Sequence, residues 1–408
     1  MGIIYFTFNR IFMIKHLFKL MWNKKRQNFL LMSEVFVSFL VIFAVFSLMT
    51  SIWRNYNRKT GFESENVWVL RFNNQDMTKN TDSLALLYET IRQVIQSLPS
   101  VKGVSFVSNN TPYANSQEMT GFDYRSKKIG SINGYQVEAP YKDILHAEMI
   151  SGRWFGRQDQ VATHRPIVVN ATLARDLFAN DNPIGQIIGN DKDPERNKME
   201  VIGVIDDMKS MGDYRLAGRA MYSRIDTGAF HYISDLLIKV APDAGAAFEA
   251  RLYKTVAAAI KVSTVEIEHL DSARIAKNKQ TLIPTIIVLI IAGFLIVNVA
   301  LGLFGVLWYN INRRRGEIGL RRAVGASGRA VALQLLAEAL ILASFAMIVG
   351  TFFAIQFPLL HVFDEAASVY IIALIFTILF IYGLVTICSL YPGRQAAAIY
   401  PAVALHED

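Results

Sequence analysis

The sequence predicts an α-helical membrane protein: four transmembrane helices, with a large α+β extracytoplasmic domain placed between the first two. Three observations carry this reading. Four apolar runs, each longer than the about 20 residues a bilayer core requires, stand apart from the rest of the chain. Lys and Arg crowd alternate flanks of these runs, as the positive-inside rule expects. Residues 54–281 have the mixed strand and helix texture of a water-soluble domain.

The first run, 29–53, is interrupted only near its start by Ser33 and Glu34, and no small-residue cleavage site follows Trp53. It reads as a retained anchor rather than a cleaved signal peptide. The second, 282–308, contains one amide, Asn298, at mid-span, where hydrogen bonding to a neighbouring helix is expected. The third, 331–357, has Gln334 and Glu338 near one end and is stopped by Pro358; the fourth, 369–390, ends before Pro392. Glu34, Gln334 and Glu338 all fall near the ends of their spans that reach headgroups or flanking arginines.

Orientation follows from the short flanks. Arg10, Lys15, Lys19, Lys24, Lys25 and Arg26 precede the first span without an acidic residue. The 309–330 link between the second and third spans carries Arg313, Arg314, Arg315, Arg321, Arg322 and Arg329 against Glu317 alone. The 358–368 loop has no Lys or Arg. Both termini, the 1–28 leader and the 391–408 tail, are therefore expected in the cytoplasm, with 54–281 outside. Within the leader, Ile14, Leu17, Phe18 and Met21 recur at helical spacing opposite Lys15 and Lys19, which describes an amphipathic helix on the inner leaflet. Met13 is an alternative start.

In the large domain, 67–72 (VWVLRF) is strand-like, 83–98 is apolar with helical period, and 104–107 is a second strand. The same grammar returns at 236–240, 244–260 and 265–270. Two βαβ units separated by a long insert predict a split ferredoxin-like lobe, 54–138 with 228–275. The insert, 139–227, reads as a second, mainly β lobe with strands at 167–169 and 199–205 and a short helix at 171–178.

Several chemistries are missing. The net charge of +8 invites a nucleic-acid reading, but the basic residues cluster beside the spans. No GxxxxGK[ST] loop is present to hold nucleotide phosphates, no Gly-x-Ser-x-Gly elbow occurs, and the glycines of 325–328 read as a helix break. His146 and Glu148 lack the CxxC that would complete a zinc site. Asp206 and Asp207 follow a strand and read as a solvated turn rather than a carboxylate dyad. The one cysteine, Cys388, lies within an apolar run, so no internal disulfide can form. A catalytic site is not expected, nor a cofactor or metal on this chain.

The densest motif is the link 312–327, NRRRGEIGLRRAVGAS. Topology explains its arginines but not the interleaved Glu317, Ile318, Leu320, Ala323 and Val324, which have the spacing of a short amphipathic helix bounded by Gly316, Gly319 and Gly325. Such a helix at the end of a span suits docking into another protein's groove. The string RRRGEIGLRRAVGAS resembles the signature of MacB/FtsX-type ABC transporter permeases. So do SGRWF at 151–155, IVVNATLARDLF with NPIGQII, MEVIGVIDDMK, and the tail YPGRQAAAIYPAVALHED, with its Pro-x-x-Ala-Leu at 401–405.

The resemblance implies a non-catalytic permease that pairs with a second permease, the same or different, and is driven by an ABC ATPase that binds ATP and magnesium. Since the fused ATPase of MacB itself does not precede the first span here, it implies a separate ATPase chain. It implies a bacterial inner-membrane location, a porter-like outer lobe with an inserted lobe, and mechanotransmission for lipoprotein, peptide or drug efflux. A periplasmic adaptor or outer-membrane partner is a further implication. It also assigns the ATPase-coupling role to Arg315, Gly316, Glu317, Ile318, Gly319, Leu320, Arg321, Arg322, Ala323, Val324, Gly325 and Ala326. The alternative within the resemblance is an FtsX-like signalling scaffold that regulates an extracytoplasmic hydrolase.

Overall fold

A computed structural model of the protein describes residues 25–72, 81–125, 127–189, 198–226, 233–260, 264–360 and 362–398. The amphipathic leader expected before residue 25 and the tail motif at 401–405 lie outside the described residues. Along the chain, α1 (Lys25–Tyr56) leads to β1 (Val67–Phe72), α2 (Thr81–Gln96) and β2 (Val101–Ser108). Next come β3 (Met119–Tyr124), β4 (Lys127–Val137), α3 (Tyr141–Ile144), β5 (Met149–Gly152) and β6 (Arg165–Asn170). They are followed by α4 (Ala171–Phe178), β7 (Ile187–Ile188), β8 (Met199–Ile205) and β9 (Arg219–Arg224). The remainder is β10 (Ile233–Val240), α5 (Ala246–Ile260), β11 (Val265–His269), α6 (Leu270–Arg313), α7 (Arg315–Ala323), α8 (Gly328–Leu359) and α9 (Ala367–Ala397). Contacts divide the chain into two units, Met1–Arg54 with Pro284–Asp408, and Asn55–Ile283.

In the second unit, β11, β1, β10 and β2 lie side by side in that order, every neighbour antiparallel. With α2 and α5 as the two crossovers, this is the split βαβ arrangement of a ferredoxin-like lobe. Alternation along β1 explains its unbroken apolar run. Trp68, Leu70 and Phe72 pack with Tyr88, Ile91 and Ile95 of α2 and Leu252 and Val256 of α5. Val67 and Val69 face the opposite way, into a core shared with Tyr135, Tyr141 and Tyr222. A strand covered on both faces has no solvent side to mark with polar residues.

The sheet then continues into the inserted lobe through a single residue pair, Val107 with Val137. Beyond it the order is β4, β9, β6, β8, β5, with β4/β9 and β6/β8 parallel. Helix α4 covers this part through Leu173 and Phe178, packed on Ile167, Val169 and Val201. The expected boundary at 139 requires correction. Strand β3 pairs with β4 and β4 with β9, whereas β4 has a single ladder pair with the ferredoxin-like sheet. The insert therefore starts directly after β2. Its entry hairpin carries ordinary alternation, and strand periodicity does not report which sheet a strand will join.

Among the described residues, α1, α6, α8 and α9 are the four helices long and apolar enough to cross a membrane, and their apolar stretches lie mainly in the first unit. Their shared core takes Val35, Phe39 and Ile42 from α1 and Leu303 from α6. Ala339, Ala343 and Ala346 of α8 and Ala373 and Ile381 of α9 complete it. Small residues at these positions let the backbones approach closely. The helices overrun the expected spans. Helix α6 has 44 residues, roughly 66 Å at 1.5 Å per residue and about twice the hydrocarbon thickness, with Pro284 inside it. Helix α8 runs one residue past Pro358. Pro392, expected to mark a stop, sits within α9, which continues to Ala397. Its ring is buried beside Gly393 and Ala396, so tertiary packing carries the helix past the missing N–H.

Candidate functional site

The Arg-rich link folds as a short helix turned back on the ends of its neighbours. Helix α6 ends at Arg313, and Arg314, at φ −103° and ψ 14°, breaks the helical path before α7 begins. Ile318 is the apolar anchor of α7. It is 4% exposed and packs with Ile311 of α6, Val331 of α8 and Ala396 of α9. Gly325, at φ +104°, takes a backbone conformation that suits glycine, and Ser327 then caps α8 by accepting from the Ala330 N–H. The expected break at 325–328 falls there, while Val324, Gly325 and Ala326 lie just beyond α7 in the turn.

Charged residues complete the attachment. Arg314 donates to Glu338 at 2.7 Å and to Glu317 at 3.0 Å. Arg321 donates to Glu317 at 2.7 Å and to Gln334 at 2.8 Å, and Gln334 donates to Glu338 at 3.1 Å. Five side chains thus close a ring between α7 and the first turns of α8, with two positive and two negative charges. Burial alone would lower the Arg314 pKa, but Glu317 and Glu338 together hold it above the ordinary guanidinium value. Arg322 reaches across to donate to the Ala397 carbonyl at the end of α9.

Glu317 and Arg321 are thus bonded to the protein's own framework, although both side chains stay partly exposed. The exposed surface of α7 is different in kind: Gly316, Leu320, Ala323 and Val324 share one face at helical spacing. Leu320 is 56% exposed and Val324 is 83% exposed. Arg315 is also exposed, Gly319 is buried, and Ala326 packs partly on Ile318.

A second constellation, unseen in the sequence, lies in the Asn55–Ile283 unit. Lys209 follows β8 and is 3% exposed, and its Nζ donates to the carbonyls of Asn55 (2.5 Å), Arg58 (2.6 Å) and Asp213 (3.3 Å). It thereby satisfies carbonyls at and just beyond the last turn of α1. Burial pushes the Lys209 ammonium below its ordinary range, with the Asp213 charge opposing. Four residues on, the Asp213 carboxylate accepts from Arg274 at 3.0 Å and from Asn278 at 2.7 Å, both on α6. The Asp213 N–H donates back to Asn278 at 2.8 Å. Tyr214 stacks on Tyr56 with ring centres 5.4 Å apart. The 209–214 loop is thus a latch that grips the end of α1 and the beginning of α6 together. Only the Lys and Asp four apart hinted at it, and that spacing is too common to single out.

The other residues considered from sequence are accounted for locally. Asp207 is not a free turn residue: it accepts from the Thr172 N–H (2.9 Å), the Thr172 hydroxyl (2.6 Å) and Asn170 (2.6 Å). It serves the first turn of α4, whose N–H groups need acceptors. His146 pairs with Glu63 at 2.7 Å. Among the described residues no group of three or more His, Cys, Asp or Glu could hold a metal ion. Among the described residues Asn298 bonds no neighbouring helix; it donates to the Phe294 carbonyl of its own helix at 2.8 Å. Its side chain lies on an exposed face of α6.

Comparison with known proteins agrees with this layout. Residues 29–254 match the family model of the MacB-like periplasmic core domain, and residues 289–401 match that of the FtsX-like permease C-terminal region. The chain belongs to the MacB/FtsX-type ABC transporter permeases. It is similar to the uncharacterized ABC transporter permease YknZ of Bacillus subtilis, 23% identical over 261 residues, which cover 63% of each chain. It is also similar to the macrolide export ATP-binding/permease protein MacB of Bdellovibrio bacteriovorus. That match is 21% identical and covers 97% of this chain and 62% of the relative. The chain therefore spans a little under two thirds of the length of both relatives. The crystal structure of the periplasmic region of MacB from Actinobacillus actinomycetemcomitans matches 56% of this chain and 97% of its own, at 17% identity and a TM-score of 0.38.

Proposed function

We propose that this chain is the membrane subunit of an exporter in a bacterial inner membrane, driven by an ATPase subunit that binds ATP and magnesium and docks on α7. The observation that carries this reading is the division of labour on α7. One side is fixed to α6, α8 and α9 by Ile318, the five-membered ring and Arg322, while Leu320 and Val324 stand uncovered on the other. A helix held this firmly cannot swing freely, so force applied to its outer face passes to the spans that hold it. Leu320 and Val324 are the knobs that enter the ATPase groove; Glu317 and Arg321 position them.

At its other end α6 begins in the latch made by Lys209 and Asp213. Since α6 is continuous from Leu270 to Arg313, a shift entering at α7 has one unbroken helix along which to reach the extracytoplasmic domain. The cycle proposed is ATP binding, closure of two permeases by their ATPases, and displacement of the outer lobes. Macrolide export, the named activity of the MacB relatives, makes a macrolide the first cargo to assay.

The decisive experiment replaces Leu320 and Val324 by Ser in proteoliposomes that contain the partner ATPase. Loss of permease-stimulated ATP hydrolysis is expected, with thermal unfolding of the permease unchanged, since both side chains are exposed. Full stimulation in the double variant would remove α7 as the docking site.

A further inference from the structure

Two stretches beside the apolar runs carry charge that topology does not explain. Residues 54–62, at the end of the span that closes at Tyr56, hold Arg54, Arg58 and Lys59 and no acidic residue. Residues 272–283, leading into the apolar run of α6, hold Arg274, Lys277 and Lys279, again without Asp or Glu. Both flanks belong to the side on which the positive-inside rule depletes Lys and Arg, so orientation does not account for them.

The fold gathers these stretches and adds a third. The 209–215 loop joins them: Lys209 bonds the carbonyls of Asn55 and Arg58, Asn55 donates to the Tyr214 carbonyl at 3.3 Å, and the Asp213 N–H donates to Asn278. That loop contributes Arg215. Arg58, Lys59, Arg215 and Lys279 are all exposed. Among the described residues, none of these four side chains makes an ion pair or hydrogen bond. The acidic groups nearby are already engaged. Asp213 is 6% exposed and holds Arg274 and Asn278, and Asp271 accepts from Ser64 at 2.6 Å. Like charges act on one another instead: Arg58 and Arg274 repel the Lys209 ammonium, and Arg215 repels that of Lys277. An anion placed over such a collar relieves that repulsion.

Chain distance sets the depth of the collar. Lys279 precedes the apolar run at 282 by three residues, about 4.5 Å at the helical rise, and Arg58 follows Tyr56 by two. The headgroup layer beyond the hydrocarbon is about 5–8 Å thick on each side, and Lys and Arg side chains reach along such a boundary. Tyr56, 57% exposed and stacked on Tyr214, is the amphipathic ring suited to that level. The anion present there as a continuous layer is the phospholipid phosphate.

We infer that Arg58, Lys59, Arg215 and Lys279 form a binding site for the phosphate headgroups of anionic phospholipids in the outer leaflet. The inference rests on the membrane reading above, with 54–281 outside, and adds a ligand to it. Bound lipid cancels the repulsion around the latch and ties the segments after α1 and at the start of α6 to one headgroup layer.

The test places a photoreactive benzophenone side chain at the exposed Gln280 of the full-length chain. The protein is reconstituted in phosphatidylcholine vesicles with a minor share of phosphatidylglycerol. These vesicles have the same lipids on both sides and contain no ATPase, so neither the orientation nor docking on α7 affects the result. Lipid adducts at position 280 should contain phosphatidylglycerol well above its share of the vesicle. Arg58→Gln, Arg215→Gln and Lys279→Gln should each lower that enrichment by up to about fivefold, and the triple variant should bring it to the bulk share. Arg58→Lys and Lys279→Arg should retain it, and high salt should weaken it. Adducts to protein alone, no enrichment in the parent, or unchanged enrichment in the triple variant would each overturn the site. Loss of enrichment on adding inorganic phosphate at constant ionic strength would assign it to a free anion and overturn the lipid.

Discussion

Helix α6 is held at both ends by polar contacts, and the two attachments are built on different physical terms. At Leu270–Lys277 the grip is buried: Lys209 is 3% exposed, Asp213 is 6% and Lys277 is 7%. Nearly every bond there ends on a backbone carbonyl or a two-point carboxylate contact. At Arg313 the grip is a half-hydrated ring of side chains around one small apolar cluster. Buried charges that lose a partner are left uncompensated, whereas half-exposed ones recover water. Both ends are held, but loss of a partner should cost more at the Lys209 end than at the Arg314 end.

That contrast can be broken by direct measurement. The largest effect is expected at the latch. Lys209→Met leaves three carbonyls without their shared donor and should destabilise the Asn55–Ile283 unit by about 3 kcal/mol, read as a lowered Tm of the full chain in detergent. A loss below ~0.5 kcal/mol would show that the latch is not rigid. A smaller effect is expected at the ring. Arg314→Met removes two ion pairs, but Glu317 is partly hydrated, and the loss should be about 1–2 kcal/mol. It should appear as faster proteolysis within 309–330, with the Tm of the outer unit unmoved. If Arg314→Met proved as costly as Lys209→Met, the two joints would be equivalent and the comparison would fail.

The smallest effect sharpens the scale between them. In the insert, Arg153 donates two 2.7 Å bonds to Asp159, whose carboxylate is buried although the guanidinium is 44% exposed. The hydrogen bond from Arg153 holds the Asp159 carboxyl below its ordinary range. A depressed carboxylate contributes stability that is present above its unfolded pKa near 3.8 and is lost as pH falls through the folded value. Asp159→Asn should therefore cost roughly 1 kcal/mol at neutral pH, discounted for the exposure of Arg153. The difference from the parent should shrink on acidification below the unfolded pKa. A pH-independent difference would mean that packing, not charge, holds this turn.

Much of the architecture was legible because its signals are local. VWVLRF became β1, the Asn170-led turn into 171–178 became α4, and the four apolar runs became α1, α6, α8 and α9. The short helix of the Arg-rich link was legible from its composition, yet the partners of its charged residues were not. Glu317 and Arg321 stood out by charge, and they bond to one another and, through Arg321, to Gln334 of α8 while staying partly exposed. Asn298 was expected to bond a neighbouring helix, and among the described residues it bonds its own helix at Phe294. The start of the insert was misplaced because nothing in β3 or β4 names the strand beside which they fold.

By itself, the order of amino acids determined where most of the helices and strands run, which stretches are apolar enough to cross a bilayer, and which link folds as a short amphipathic helix. Those properties depend on neighbours within a turn or a strand, where the side-chain period is set by backbone geometry. Only the tertiary structure decided that Lys209 would cap α1 from 154 positions away, or that Asp213 would bind Arg274 across 61. A polar group is satisfied by whatever the fold brings within about 3 Å, and that distance has no counterpart along the chain.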